Sequence, residues 1–145
     1  MIPGMLEASP NRRFWPTGTY EVSEAGKIIA KLNILGKAFD LAGSRFEVVR
    51  EGFFGTKYTL KCGDAIVATV TGKSLLYGGR EWEFKSIGWL NPEFGLFGNG
   101  SQVGAITGGS FPNRLRGITI NVPEDFPQAV QLFLLLIVLR EWTSD

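Results

Sequence analysis

The sequence predicts a mainly β fold, in which about twelve antiparallel strands form a closed barrel around a central hydrophobic C-terminal helix. Three observations lead to this prediction: apolar residues recur with period two from Thr17 to Val122, nineteen glycines mark tight turns, and an apolar run near the C-terminus has no polar face. At 145 residues and 15.9 kDa the chain fits one domain. We divide it into a loosely packed N-terminal arm at 1–16 and a single barrel domain at 17–145, with the core helix at about 127–142.

The N-terminal arm contains Pro3, Gly4 and Pro10, and no apolar run that resembles the hydrophobic part of a signal peptide. We therefore expect a cytoplasmic protein that meets a membrane, if at all, at its surface. Arg12 and Arg13 suit a contact with anionic lipid or nucleic acid, but a partly packed terminus explains the same residues more simply. The arm alone predicts no function.

The first clear strand alternates as a half-buried strand must, because successive side chains point to opposite faces of a sheet. Its predicted inward face holds Ile28, Ala30, Leu32 and Ile34. Its predicted outward face holds Lys27, Ile29, Lys31 and Asn33. Phe46 and Val48 continue the alternation on a later strand.

The middle of the chain predicts an antiparallel hairpin. The inward face of its first strand holds Tyr58, Leu60 and Cys62, and the outward face holds Lys57, Thr59 and Lys61. Gly63-Asp64 separates this strand from the next one, which has Ile66, Ala68 and Val70 on one face. Such a short turn does not allow a parallel crossover.

Further strands are predicted in the later part of the chain. Trp82 and Phe84 alternate with charged residues, and two further strands are predicted at Val103–Thr107 and Arg114–Val122. In the stretch between Phe84 and Val103, Pro92, Gly95, Gly98 and Gly100 allow only short strands with bends. No internal repeat stands out.

The C-terminal segment predicts a helix. Pro127 and the preceding acidic residues match a helix start, and Arg140 matches the last turn. Between Ala129 and Leu139 the only polar residue is Gln131, so the helix has no hydrophilic face. Such a helix must be surrounded by protein or by lipid.

The length of the helix favours burial within protein over insertion into lipid. These residues rise only ~16 Å, about half of a ~30 Å hydrocarbon layer. Burying the nine large apolar side chains of the run is worth roughly 14–27 kcal/mol as an upper bound. A flat sheet covers one side of a helix, whereas a closed barrel hides every side. Insertion of the helix into a membrane stays the alternative.

Composition excludes several classes of site. Fifteen basic and fourteen acidic residues leave a formal charge of +1, so we expect no nucleic-acid partner. The absence of histidine excludes imidazole chemistry, and the single cysteine, Cys62, excludes an intrachain disulfide and a multi-cysteine metal cage. We predict a protein that is not an enzyme, with no cofactor and no metal site.

Several segments carry a family resemblance. They are Tyr-Thr-Leu-Lys at 58–61 with Ala-Ile-Val-Ala at 65–68, the basic strand at 114–120, and the apolar run at 127–136. Together they resemble the tubby C-terminal-like superfamily, closest in size to its LURP-one-related and phospholipid-scramblase-like members, over about Thr17 to Trp142. The resemblance implies a twelve-stranded barrel threaded by the terminal helix. It settles less about function, because the family includes phosphoinositide-binding tubby domains and calcium-responsive scramblases.

Four lysines are the predicted ligand-binding residues. Lys57 and Lys61 share the outward face of one strand, and Lys27 and Lys31 repeat the arrangement on another. Such charges can hold phosphate groups. The resemblance implies phosphoinositide headgroups as the ligand, although no specific tubby headgroup motif carries over. A solvated strand face explains the lysines equally well.

Other residues are weaker candidates. Glu81 and Glu83 share one face and suit calcium, but an ordinary polar outer face accounts for them. Gly98-Asn99-Gly100 has the wrong spacing to Gly104 for a dinucleotide loop and predicts a turn. Cys62 on the inward face is a small hydrophobe rather than a nucleophile. Further basic candidates are Arg80, Arg114 and Arg116.

Two functions of different classes remain open. The first is a non-enzymatic module whose loops or basic outer face bind an anionic lipid headgroup or a protein. The second is a membrane-active, scramblase-like protein whose terminal helix enters lipid. The length of the chain and of the helix favours the first.

Overall fold

The computed structural model describes residues 5–10, 18–52, 56–87, 93–108, 117–123 and 125–143. These residues form twelve strands followed by one helix. In chain order the elements are β1 Leu6–Pro10, β2 Thr19–Glu24, β3 Lys27–Asn33, β4 Ala38–Leu41, β5 Ser44–Glu51, β6 Lys57–Cys62, β7 Ala65–Thr71, β8 Ser74–Tyr77, β9 Arg80–Ser86, β10 Glu93–Gly98, β11 Ser101–Thr107, β12 Ile118–Asn121 and α1 Gln128–Thr143.

The strands form one antiparallel sheet that curls into a nearly closed barrel, in the order β3-β2-β1-β12-β11-β10-β9-β8-β7-β6-β5-β4. Among the described strands, every consecutive pair is hydrogen-bonded except β3 and β4. The connection between β3 and β4 forms hydrogen bonds with other parts of the barrel. The Ile34 N–H donates to the Gly18 carbonyl at 3.1 Å, and the Lys37 carbonyl accepts from the Val48 N–H at 2.7 Å. We call the gap between β3 and β4 the seam.

The expectation of a loosely packed arm at 1–16 is wrong for residues 6–10. These residues form β1, which lies between β2 and β12 and pairs with both. Leu6 and Ala8 are 0% exposed, whereas Glu7 between them is exposed. This alternation is a strand pattern, but so short a run beside prolines gives little periodicity to read. Arg12 and Arg13 lie outside the described residues.

Tight turns connect the two strands of most hairpins. Both turn residues have positive φ in Ala25-Gly26, Ala42-Gly43 and Asn99-Gly100. This is the requirement of a type I′ turn, whose backbone twist matches the right-handed twist of the flanking strands. The turn predicted at Gly98-Asn99-Gly100 is therefore confirmed.

Strand lengths repeat along the chain, although the sequence pattern does not reveal it. Strands β2–β5 have 6, 7, 4 and 8 residues, strands β6–β9 have 6, 7, 4 and 7, and strands β10–β12 have 6, 7 and 4. The second strand of each group carries one extra residue at its third position, and these residues are Ile29, Val67 and Val103. The architecture thus contains an internal repeat built from bulged hairpins.

The first of these bulges inverts part of β3. Beyond Ile29, Ala30 pairs with Val22, and both face the core. Before Ile29, Ile28 pairs with Ser23 and is 52% exposed. The prediction that Ile28 faces inward is therefore wrong, because one extra residue shifts the alternation to the opposite face.

The helix α1 lies inside the barrel. Every residue from Ala129 to Leu139 is buried, and inward side chains of the strands join the same core, among them Leu6, Leu60, Leu96 and Ile106. Gln131, the one polar residue of this run, donates from its Nε2 to the Phe126 carbonyl at 3.0 Å and ties the helix to the preceding turn. Burial in the same core raises the pKa of the Tyr20 phenol above its ordinary value.

The predicted fold class is confirmed, and so is the predicted helix at about 127–142, whose observed bounds are Gln128–Thr143. In the described part of the chain, no helix combines the length and the hydropathy that crossing a bilayer requires. The helix has no polar face, and the surrounding strands cover it on all sides.

Candidate functional site

A pocket of about 410 Å³ lies at the end of the barrel where α1 ends. We call it the mouth pocket. Its exposed or half-buried basic residues are Arg50, Lys73, Lys85 and Arg140, and its buried apolar residues are Val70, Phe84, Phe94 and Ile137. The remaining lining residues are Thr56, Tyr58, Gly72, Ser86 and Glu141. The pocket thus has a basic rim and an apolar floor.

Strand phase places Arg50 in the mouth pocket. Val48 faces the core, so Arg50 belongs to the same face of β5 and lies near the end of that strand. It pairs directly with Tyr58 of β6. The guanidinium carbon of Arg50 lies 5.9 Å from the centre of the Tyr58 ring, within reach of a cation–π interaction.

Arg140 joins the last turn of α1 to the seam. Its Nε donates to the Ile34 carbonyl at 2.8 Å, and one of its terminal nitrogens donates to the Gly36 carbonyl at 2.5 Å. Both carbonyls belong to the connection between β3 and β4. Its guanidinium carbon lies 5.8 Å from the centre of the Tyr58 ring, so Arg140 also forms part of the rim.

We expect Arg140→Met to lower the free energy of unfolding by about 2–3 kcal/mol, because two charge-assisted hydrogen bonds from α1 to the β3–β4 connection are lost while the apolar stem is kept. Urea denaturation would measure the change. Arg45→Met is the matched control: its partner Asp40 is 3.4 Å away, and the two side chains are 67% and 72% exposed. That variant should change stability by less than about 1 kcal/mol. Equal effects of the two variants would show that Arg140 does not hold the seam.

The mouth pocket concentrates positive charge in a chain whose net charge is only +1. Among the residues that the structure describes, Glu141 is the single carboxylate in its lining, against four basic side chains. Lys85 already pairs with Glu83, at 2.8 Å between Nζ and Oε1. The side chains of Arg50 and Lys73 make no ion pair with any residue that the structure describes. These two are therefore the rim groups best placed to take an external anion.

A more open groove of about 720 Å³ runs beside the mouth pocket and shares Lys73 and Lys85 with it. Its carboxylates have partners: Glu83 pairs with Lys85, and Glu81 accepts from the Ser74 hydroxyl at 2.9 Å. Across the described residues, no three ligating side chains come together in a way that could hold a metal ion. The mixed charge of this groove makes it a poorer anion site than the mouth pocket.

Lys57 and Lys61 share the outer face of β6, as their spacing predicts, but each has an acidic neighbour. Lys57 stands opposite Glu51 and Lys61 opposite Glu47 on β5. Directly opposite residues lie close enough for charges of opposite sign to attract each other. Neither lysine lines the mouth pocket.

Lys27 and Lys31 do not form the predicted same-face pair. The extra residue Ile29 lies between them, so Lys27 stands opposite Glu24 and Lys31 opposite Glu21, on different faces of the sheet. Across the seam, β3 is also separated from β6 by β4 and β5. The four predicted lysines are thus not gathered into one surface.

Arg80, one of the weaker basic candidates, does not line the mouth pocket. The guanidinium carbon of Arg80 lies 4.1 Å from the centre of the Trp82 ring, so this arginine covers the core side chain instead. Arg114 and Arg116 lie outside the described residues. Cys62 is half-buried as a free thiol and pairs with Ala65 across the hairpin.

Family models, curated proteins and solved structures were each compared with this chain. None matches. The function must therefore follow from the residues of the barrel and from the chemistry of the mouth pocket.

Sequence reasoning missed the rim of the mouth pocket for a physical reason. Its basic residues come from β5, β9, α1 and the turn before β8, so no local spacing brings them together. One signal was available: Arg50 occupies the inward phase of β5, two residues after Val48. A charged residue in the inward phase near the end of a strand indicates the mouth of a barrel rather than its wall.

Proposed function

We propose that the protein is a non-enzymatic, tubby-like binding module that takes an anionic phospholipid headgroup into the mouth pocket. The observation that carries this proposal is the grouping of four basic side chains and one carboxylate around about 410 Å³ of space in an almost neutral chain. Phosphate groups are bound in proteins by such guanidinium and ammonium groups. The resemblance of the sequence to the tubby-like superfamily supports the same class of ligand.

The position of the pocket also supports this proposal. The mouth is an end of the barrel, so a flat membrane surface can approach its rim without meeting the strand walls. Ile87, which follows the rim residue Ser86, is 37% exposed. An exposed apolar side chain beside basic residues suits the boundary between headgroups and acyl chains.

The scramblase-like alternative requires α1 to leave the barrel. Such a movement would uncover the buried run from Ala129 to Leu139 together with the inward faces of the strands. We therefore propose peripheral binding at the cytoplasmic membrane surface, with the helix retained in the core.

Vesicle co-sedimentation tests this proposal. The protein should sediment with phosphatidylcholine vesicles that contain phosphatidic acid or a phosphoinositide, and not with phosphatidylcholine alone. Binding should weaken as salt rises, because exposed charges are screened within ~8–10 Å at physiological ionic strength. The double variant Arg50→Ala, Lys73→Ala should bind roughly 30-fold more weakly, since each basic residue near an anionic surface contributes about 1 kcal/mol.

The matched control is Lys57→Ala, Lys61→Ala, which removes the same charge from the outer wall of the barrel. We expect this variant to keep most of its vesicle binding, because each lysine stands opposite a glutamate. If it loses binding as strongly as the rim variant, the mouth pocket is not the site. If the unmodified protein does not sediment with anionic vesicles at low salt, headgroup recognition is wrong.

A further inference from the structure

The mouth pocket has an apolar floor as well as a basic rim. Its floor consists of four buried apolar side chains, Val70, Phe84, Phe94 and Ile137. The Phe84 and Phe94 rings lie 5.1 Å apart, and the ring of Trp142 lies 6.1 Å from that of Phe94. A bare phosphate gains nothing from such a floor, because a charged group placed on apolar atoms loses hydration without gaining a partner.

We infer that the ligand of the mouth pocket is an amphiphilic anion: a phosphate monoester or a carboxylate that carries a short apolar or aromatic group. The inference rests on the proposed function and adds the apolar part of the ligand. A volume of about 410 Å³ lies in the ~300–1,000 Å³ range of small-molecule sites and far exceeds the need of a single anion. The anionic group binds the rim, and the apolar group lies against Phe84 and Phe94.

The arrangement around Tyr58 fixes the anionic end. The guanidinium carbons of Arg50 and Arg140 lie 5.9 Å and 5.8 Å from the centre of this one ring. Arg50 makes no ion pair with any residue that the structure describes, so its guanidinium can pair with an anion bound beside the Tyr58 ring. The hydroxyl groups of Thr56 and Ser86, which also line the pocket, can donate further hydrogen bonds to the anion.

Titration calorimetry with three probes tests the inference. Phenyl phosphate carries both parts of the ligand, inorganic phosphate carries the charge alone, and benzyl alcohol carries the ring alone. We expect phenyl phosphate to bind at least ~10-fold more tightly than either of the others, because only this probe satisfies the rim and the floor together. Equal binding of phenyl phosphate and inorganic phosphate would overturn the inference, and so would equal binding of phenyl phosphate and benzyl alcohol.

Variants locate the two halves of the site. Arg50→Ala should weaken both phosphates, whereas Val70→Thr should weaken phenyl phosphate by a larger factor than inorganic phosphate, because it adds a hydroxyl to the floor at nearly constant shape. Val103→Thr makes the same change on β11, where Val103 is 39% exposed, and should change neither affinity. Because Val70 is buried, Ser86→Trp provides a second test at an exposed rim position. Its indole should fill the pocket and abolish phenyl phosphate binding, and unchanged binding would overturn the inference.

The probes also separate the two sources of such an anion, a free organic phosphate and a lipid. Vesicle binding without phenyl phosphate binding would overturn the amphiphile inference and leave headgroup recognition standing. Phenyl phosphate binding without vesicle binding would support the inference, identify a free organic anion as the ligand, and reject the lipid headgroup. Binding of both would support a lipid whose glycerol or acyl part reaches the floor.

Discussion

Leu135→Asp is expected to abolish folding. Leu135 is 0% exposed at the middle of α1, inside the barrel. The substitution removes about 1.5–3 kcal/mol of apolar burial and places a carboxylate where desolvation costs several kcal/mol more. A domain of this size has a net stability of only about 5–15 kcal/mol. The soluble fraction after expression and the far-ultraviolet circular dichroism spectrum would measure the loss.

Leu35→Asp is the matched control, because Leu35 is 86% exposed in the connection between β3 and β4. This variant should fold with a melting temperature close to that of the unmodified protein. Leu135→Ala gives a measurable intermediate, with an expected loss of about 2–5 kcal/mol from the cavity that it leaves. A Leu135→Asp protein that stays folded and merely leaves the membrane fraction would contradict the buried helix and favour the scramblase-like alternative.

The helix and the barrel could be predicted because both follow from strong, continuous patterns. A run from Ala129 to Leu139 with one polar residue has no face to offer to water, and it is too short to span a bilayer. Alternation is equally plain along β9, where Trp82 and Phe84 are buried and Glu83 between them is exposed. Each pattern depends on many residues, so no single exception hides it.

The bulges and β1 could not be predicted because each depends on few residues. The extra residues Ile29, Val67 and Val103 are β-branched and apolar, like the residues that belong in strands, so nothing in their chemistry marks an insertion. One such residue was enough to separate Lys27 from Lys31. Local periodicity therefore identifies a strand more reliably than it identifies the face to which a given side chain points.

Loss of the helix should be as damaging as a charge within it. We expect a protein that ends at residue 126 to be insoluble or molten, because the inward side chains of the strands pack against α1 and cannot fill the interior by themselves. Removing the helix forfeits apolar burial worth roughly 14–27 kcal/mol as an upper bound, against a net stability of about 5–15 kcal/mol. The dispersion of a ¹H–¹⁵N correlation spectrum would measure whether tertiary packing survives.

Co-expression of residues 125–145 as a separate chain is the control for damage unrelated to the helix. Because α1 is held by the barrel interior on all sides, supplying it in trans should restore at least part of the soluble, well-dispersed protein. Introducing Arg140→Met into that separate chain should reduce the recovery, since the bonds from Arg140 to the Ile34 and Gly36 carbonyls fix the end of the helix at the seam. A well-dispersed spectrum from residues 1–126 alone would contradict this dependence, because it would mean that the strands form a stable barrel without a core helix.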